Sequence, residues 1–415
     1  ENAPEHYSDF EEIGRGGMKC VYKVRDSRLK RDVALAKLHP QVDKAFYDSF
    51  IREARITALL EHPNIISVYD IGISDDRTPF FTMELKVGKN LGAIIKKASK
   101  ENFCGATSQE DILQSFVKVC DAMAYAHSKG VLHLDLKPDN IQLGQFGEVV
   151  ICDWGLGKII GDEDNVELDQ VLFNADFLNG MTLADEIKGT PGYMAPEQIE
   201  KKGEKDPLTD IYSLGAVLYT ILTGKPPYRG EVDTIMKSTM AGELTPPGQR
   251  VLNWDVPSSL NAVVVKAMSL KPAERYQSVE ELKAEVSSYL NGRTTTAEAA
   301  GPLKEGLLFY RRNRLLCNVV LSFLIFLTAI GSIFVIKLKE NNIQLSMERD
   351  RVLHNKQKAD NNLQLAEREK KRLQLALKTV RQEKQVNSAI LWNKDQTVQQ
   401  IFANSDILSY IDPLK

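Results

Sequence analysis

Five cysteines are spread through 415 residues, at Cys20, Cys104, Cys120, Cys152 and Cys317, and no two stand at a paired or metal-ligand spacing. That scatter excludes a zinc site and a disulfide framework, and a reducing compartment is expected for residues 1–300. An excess of charge is missing too. With 53 basic and 56 acidic residues the net charge is −3, so no basic field points to nucleic acid as a partner. The chain opens at Glu1 without an initiator Met or an apolar leader and stops at Lys415 without a closing domain, so a piece of a longer protein is expected. Proline and glycine are absent between Lys337 and Gln400, so the strongest helix breakers are missing there. The length leaves room for two or three domains.

What is present is concentrated in Val131 to Ile141, where Asp135, Lys137 and Asn140 stand within six positions. A carboxylate can orient a hydroxyl nucleophile, an ammonium can neutralise a moving phosphoryl group, and a carboxamide can hold magnesium. A short apolar run, Val149 to Cys152, then ends in Asp153-Trp154-Gly155, a second carboxylate delivered by a strand. Each of these residues alone would be an ordinary surface residue. The ordered set resembles the catalytic loop and the Asp-Phe-Gly triplet of protein kinases, with Trp in the Phe position.

That resemblance implies an α+β, two-lobed protein kinase fold, with a β-rich small lobe and a helical large lobe. Alternation around Ile13, Val21-Tyr22-Lys23-Val24 and Val33-Ala34-Leu35-Ala36 predicts three antiparallel strands. Between the first two lies Gly14-Arg15-Gly16-Gly17-Met18-Lys19, bare backbone that can approach phosphates, although a hairpin turn uses the same residues. The resemblance implies ATP contacts from Gly14, Gly16, Gly17, Val21 and Ala34. It places Met83 as gatekeeper of the hinge and the backbone of Glu84 and Leu85 beside adenine.

Two departures fall close together. Lys19 stands where the family has a third glycine, and Ala36 stands where it has the third-strand lysine. Lys37 is adjacent, but neighbouring strand residues face opposite sides, so it points away from the nucleotide unless a bulge shifts the register. One alternative is a dead kinase. The other is relocation: the with-no-lysine kinases resemble this pattern, and by that resemblance Lys19 is the phosphate lysine. Apolar residues at helical spacing predict a helix over residues 50–60, whose Glu53 the resemblance pairs with that lysine; on spacing alone Glu53 is an exposed helix Glu.

A second helix is predicted from Asp111 to Lys129, leading into the catalytic loop. There the resemblance makes Asp135 the base, has Lys137 touch the transferred phosphoryl group, and gives Mg2+ to Asn140 and Asp153. Lys137-Pro138 is the serine/threonine form of the loop. Leu134 replaces the usual arginine, so a phosphate on the activation loop has no arginine to meet there. The segment after Asp153 is acidic around Asp162-Glu163-Asp164 and closes in Gly189 to Glu197, with Thr190 positioning the loop. Asp210 is expected to brace the catalytic loop, and Arg275 to pair with Glu197.

The kinase domain is expected over residues 7–291, after a tail of residues 1–6, with a juxtamembrane linker over 292–314. Leu315 to Ile336 is an uncharged apolar run and, as a helix, rises about 33 Å, enough to cross a core of about 30 Å. Basic residues flank it evenly, so orientation comes from chemistry: ATP and reduced cysteines place the kinase in the cytoplasm and residues 337–415 outside. Over residues 337–403 an apolar residue recurs every seven from Leu338 to Val380, but Arg349, Lys356 and Lys370 break the second row. A homodimeric coiled coil and a solitary charged helix both remain open, and residues 404–415 form a tail.

The whole resembles the transmembrane serine/threonine kinases of bacteria: a single-pass membrane protein that transfers the γ-phosphate of ATP to protein Ser or Thr hydroxyls. Its alternatives are an ATP-binding pseudokinase scaffold and a chain in which the stalk is the working part.

Overall fold

A computed structural model describes residues 6–74, 76–103, 108–161, 190–200, 203–251 and 254–388. Cys104, the acidic stretch 162–164, Gly189 and stalk and tail residues past 388 lie outside the described residues. The chain divides into two compact units, residues 1–314 and 315–415.

The first unit begins with a five-stranded antiparallel sheet in the order β1-β2-β3-β5-β4, formed by β1 (Tyr7–Arg15), β2 (Lys19–Asp26), β3 (Arg31–Leu38), β4 (Val68–Ile73) and β5 (Pro79–Met83). The β2–β3 ladder runs in step from Lys19↔Leu38 to Asp26↔Arg31, and β3 pairs β5 from Ala34↔Met83 to Lys37↔Phe80. No bulge interrupts either ladder, so the strand period of two holds across the sheet centre. Helix α1 (Tyr47–Ala58) packs on this sheet: Phe50 and Ala54 join Ala36, Leu38 and Phe81 in one apolar cluster. These strands include the three that the alternation predicted, and with α1 they make the small lobe that the resemblance implies.

The large lobe is helical. After β6 (Gly88–Asn90) come α2 (Leu91–Lys100) and α3 (Gln109–Ser128), then the short strands β7 (Val131–Leu132), β8 (Ile141–Gly144), β9 (Val149–Ile151) and β10 (Lys158–Ile159). Among the described residues the remaining helices of this unit are α4 (Pro196–Ile199), α5 (Pro207–Thr223), α6 (Val232–Ala241), α7 (Pro247–Arg250), α8 (Ser258–Ala267), α9 (Val279–Leu290) and α10 (Pro302–Arg312). Helix α3 starts where Ser108 and Asp111 close a reciprocal capping box, and it buries Ile112, Phe116, Val119 and Met123, each worth about 1.5–3 kcal/mol of apolar transfer. Helix α5 is the central helix: every residue from Thr209 to Thr223 is buried, as expected of a helix that is apolar all round. Its Gly215 permits that packing, since a Cβ there would fall 2.8 Å from Met268 Cγ and 2.9 Å from Ala267 Cβ.

The linker expected from residue 292 begins as folded chain. Thr295 is buried, Ala297 packs against the large-lobe core, and the Glu285 carboxylate accepts from the Thr296 amide at 2.9 Å. Glu298 accepts from the Ser258 and Ser259 hydroxyls, both at 2.6 Å, at the start of α8. Composition alone could not show this, because Thr and Ala suit a linker as well as a strap held by its backbone amides.

The second unit carries α11 (Arg314–Ser388), in which an 18-residue window reaches a mean hydropathy of 2.8. By length and composition this helix can cross a membrane.

Arg275 and Glu197 form the bidentate pair expected, at 2.6 and 2.9 Å, and Arg275 is 2% exposed. Its remaining donors reach the carbonyls of Leu208, Ser269 and Leu270. Removing one member of such a pair leaves the other charge buried and alone. Arg275→Met is therefore expected to lower unfolding free energy by about 3–5 kcal/mol, read by urea titration of the chain in detergent. Adding Glu197→Gln should recover part of that loss; equal loss in the single and double variants would show that the charge is not the cause.

Candidate active site

The strand register decides the fate of the lysines. Directly paired residues share a face, so Lys19 on the 19–38 rung lies on the same face as Ala36 on the 21–36 rung. Lys37 pairs with Cys20 and faces the other way, where its Nζ meets Asp76 at 2.9 Å. Lys19 Nζ instead lies 2.5 Å from Glu53 Oε1 and 3.0 Å from Asp153 Oδ1. Glu53 is thus a buried member of the site rather than an exposed helix residue, with 8% of its surface accessible. Ala36 is fully buried in the cluster beneath the sheet.

Burial opposes charge on Lys19, but Asp153 and Glu53 outweigh it and raise its pKa. Asp153 responds in the opposite sense: the Lys19 ammonium holds its carboxyl down at about 2. Burial lifts Glu53, against the pull of Lys19. Lys19 and Asp153 are therefore an ion pair at neutral pH.

Asn140 and Asp153 are brought together by the β8–β9 hairpin. Its rung Ile141↔Ile151 sets Asn140 opposite Cys152, whose amide donates to the Asn140 carbonyl at 2.8 Å. The Asn140 amide nitrogen donates to the Asp135 backbone carbonyl at 2.9 Å and to its carboxylate at 3.2 Å, which leaves the side-chain oxygen of Asn140 for a cation. Asp135 also accepts from Lys137 Nζ at 2.9 Å. Burial raises the Asp135 pKa despite Lys137; burial likewise opposes charge on Lys137, yet Asp135 raises it.

An oxygen-only pair, one carboxylate and one carboxamide, suits Mg2+, which keeps phosphate and water ligands of its own. Among the described residues no cluster of three or more His, Cys, Asp or Glu forms a protein-only metal cage, and Mg2+ on phosphates needs none. The glycine loop also fits a phosphate ligand. A Cβ on Gly17 would meet nothing within 4 Å, and those on Gly14 and Gly16 would make only ordinary contacts at 3.8 and 3.6 Å. The fold itself does not require these glycines, and bare backbone there leaves room for a ligand.

At the hinge, Met83, Glu84 and Leu85 are half-buried; on the sheet, Val21 of β2 is half-buried and Ala34 of β3 is buried. The Glu84 amide donates to the Ser67 carbonyl at 2.9 Å, so Glu84 can offer a base its carbonyl but not its N–H. That contact is long-range and left no mark on the hinge sequence.

The catalytic loop is braced from within. Asp210, fully buried, accepts from the His133 and Leu134 amides at 2.9 Å each and from His127 Nε2 at 2.8 Å. Gln198 Nε2 donates to the Leu134 carbonyl at 2.7 Å. Sequence reasoning found Asp210 but missed His127 and Gln198; the position of Gln198, directly after Ala-Pro-Glu, was the available signal. Trp154 is fully buried with its ring centroid 4.6 Å from that of His133. The Thr190 side chain lies outside what is described.

Residues 7–286 match the protein kinase domain family. The chain is 39% identical over 310 residues to the serine/threonine-protein kinase PknD of Protochlamydia amoebophila, covering 70% of this chain and 30% of that one. It is 39% identical over 312 residues to PknD of Chlamydia pneumoniae, covering 72% and 33%, and 37% identical over 304 residues to PknD of Chlamydia trachomatis serovar D, covering 69% and 32%. The chain thus spans about a third of the length of these curated relatives.

Burial pushes the Asp210 carboxyl up, yet the His127 and backbone donors outweigh it and its pKa falls. A depressed pKa contributes stability that is present above the unfolded value, about 3.9, and is lost as pH falls through the folded one. Asp210→Asn should therefore destabilise the chain most near neutral pH, and the gap to wild type should close below about pH 4, as urea midpoints across pH would show. A gap that stays constant into acid would mean that the charge of Asp210 contributes nothing.

Proposed function

Since the chain belongs to the protein kinase domain family, we propose that it is a membrane-anchored serine/threonine protein kinase whose phosphate lysine is Lys19. The observation that carries this is the Lys19 amine, held by both Glu53 and Asp153. A silent scaffold draws on Ala36 alone, and the amine that β3 lacks is present on β2.

ATP lies, in this proposal, between Val21, Ala34 and the Met83-Glu84-Leu85 hinge, its phosphates under Gly14, Gly16 and Gly17. Asp135 orients the substrate Ser or Thr hydroxyl and accepts its proton as the oxygen bonds to the γ-phosphorus and the bond to ADP breaks. Lys137 neutralises the oxygens of the moving group, and Lys19 holds phosphates still bound to the leaving nucleotide. Magnesium, held by Asn140 and Asp153, supplies charge neutralisation when bound. Residues 315–336 form the membrane anchor, the kinase domain is cytoplasmic, and residues 337–403 form an extracytoplasmic stalk that can pair with a second copy.

Labelled ATP with Mg2+ tests the chemistry in wild type, Lys19→Ala, Lys37→Ala and Asp135→Asn. Wild type and Lys37→Ala are expected to transfer label to the chain or to a Ser/Thr peptide, while Lys19→Ala and Asp135→Asn lose about a hundredfold or more. Loss in Lys37→Ala with transfer in Lys19→Ala would refute the relocated lysine, and ATP binding without transfer in wild type would favour the scaffold. For topology, trypsin added to sealed inverted vesicles should digest the kinase domain and spare a fragment running from the anchor through the stalk; digestion of the stalk would reverse the orientation.

A further inference from the structure

Moving the lysine from β3 to β2 changes what holds it still. A residue in the middle of β3 is flanked by β2 on one side and β5 on the other. Lys19 is the first residue of β2 and has a strand partner on one side, Leu38, because the β1 ladder ends one residue later at Arg15↔Cys20. The residues before it include Gly16 and Gly17, which have the most freedom to lose when the loop is ordered. A lysine at the lip of a glycine turn needs a restraint that a lysine in a central strand does not.

His39 supplies three contacts to that turn. It is the first residue past the β3 ladder, and its amide donates to the Met18 carbonyl at 2.9 Å. Its Nε2 lies 2.9 Å from the Gly16 carbonyl, and since a carbonyl only accepts, Nε2 carries the proton. In the neutral ring Nδ1 is then an acceptor, and the buried Cys20 thiol lies 3.6 Å from it, nearer than to the Glu12 carboxylate at 4.0 Å. The turn closes on itself through the Gly16 amide and the Lys19 carbonyl at 2.9 Å. One histidine therefore holds the residues before, beside and after Lys19, from outside the nucleotide site.

We propose that His39 is a positioning residue that clamps the 16–20 turn and so fixes the Lys19 amine for the phosphates. This rests on the assignment of Lys19 as the phosphate lysine. Both ring nitrogens and the amide of His39 face the turn, while its carbonyl accepts from the Val42 amide at 3.0 Å, so its side chain acts on Lys19 through that turn.

The test uses the full chain in detergent micelles and reads affinity for ATP with Mg2+ against affinity for adenosine, in wild type, His39→Ala, His39→Gln, Lys19→Ala and the Lys19→Ala/His39→Ala double variant. Adenosine has no phosphates and reports folding and the hinge alone. His39→Ala is expected to weaken ATP roughly tenfold, the scale of one or two lost hydrogen bonds, with adenosine unchanged. His39→Gln, whose amide can still donate to the Gly16 carbonyl, should recover most of the loss. In the Lys19→Ala background the His39 change should do nothing further, because what it positions is gone. Equal loss for ATP and adenosine, or full additivity with Lys19→Ala, overturns the clamp and leaves His39 a merely structural residue. Phosphate transfer measured on the same samples separates the two claims: coupling of His39 to Lys19 without transfer upholds the clamp and sinks the kinase activity. Unchanged ATP affinity in Lys19→Ala sinks the lysine assignment and the clamp with it.

Discussion

One ammonium group holds the site together. Glu53 comes from α1, Asp153 from the turn after β9, and Asp135 stands near enough to feel the Asp153 charge. Carboxylates gathered in a partly buried cleft repel one another, and without a shared cation the cheapest response is to protonate or to move apart. Lys19 removes that conflict by touching Glu53 and Asp153 at once, and in doing so it ties the sheet and its helix to the turn after β9 in the large lobe. Three elements far apart in sequence are positioned by one side chain.

Ala36 is the other half of that arrangement. It is fully buried against Leu38, Phe50, Ala54 and Phe81, so the space under the sheet is filled by apolar contact between β3 and α1. A long cationic chain at that position would have to displace part of the cluster or leave a charge among hydrocarbon. With the amine arriving from the loop above, the core beneath stays dry and the site keeps its cation. The two substitutions are thus two sides of one packing solution, rather than a loss and an unrelated gain.

Legibility from sequence followed the range of the interactions. Strand alternation and helical spacing gave individual strands and helices, because both depend on neighbours within a few residues, and the resemblance assembled them into two lobes. Lys19 was singled out by resemblance, whereas the opposite faces of Ala36 and Lys37 followed from strand spacing alone, because in-step strands keep their period. The partner of Glu53 could be inferred only by resemblance, since 34 residues separate it from Lys19. Nothing local marks the Ser67 contact that engages the Glu84 amide, the three contacts of His39, or the Glu285 and Glu298 carboxylates that fold residues 295–298 onto the large lobe. Each joins an ordinary polar residue to a partner whose position depends on the finished fold.

Leu134 shows what such long-range bonding achieves. It sits at φ +62 and Asp153 at φ +64, left-handed conformations that cost a non-glycine residue about 1–3 kcal/mol unless the surroundings hold it. For Leu134 both peptide groups are held: its amide by Asp210 and its carbonyl by Gln198. Its side chain is 1% exposed, buried where an arginine would reach out for a phosphate. The strain at Leu134 is therefore sustained by groups inside the large lobe. Asp135, Lys137 and Asn140 inherit their geometry from that buried bracing. Lys19, at the end of a two-glycine turn, inherits its own from the small lobe. There the Leu38 rung and the closed 16–20 turn set its backbone, and its amine joins Glu53 to Asp153.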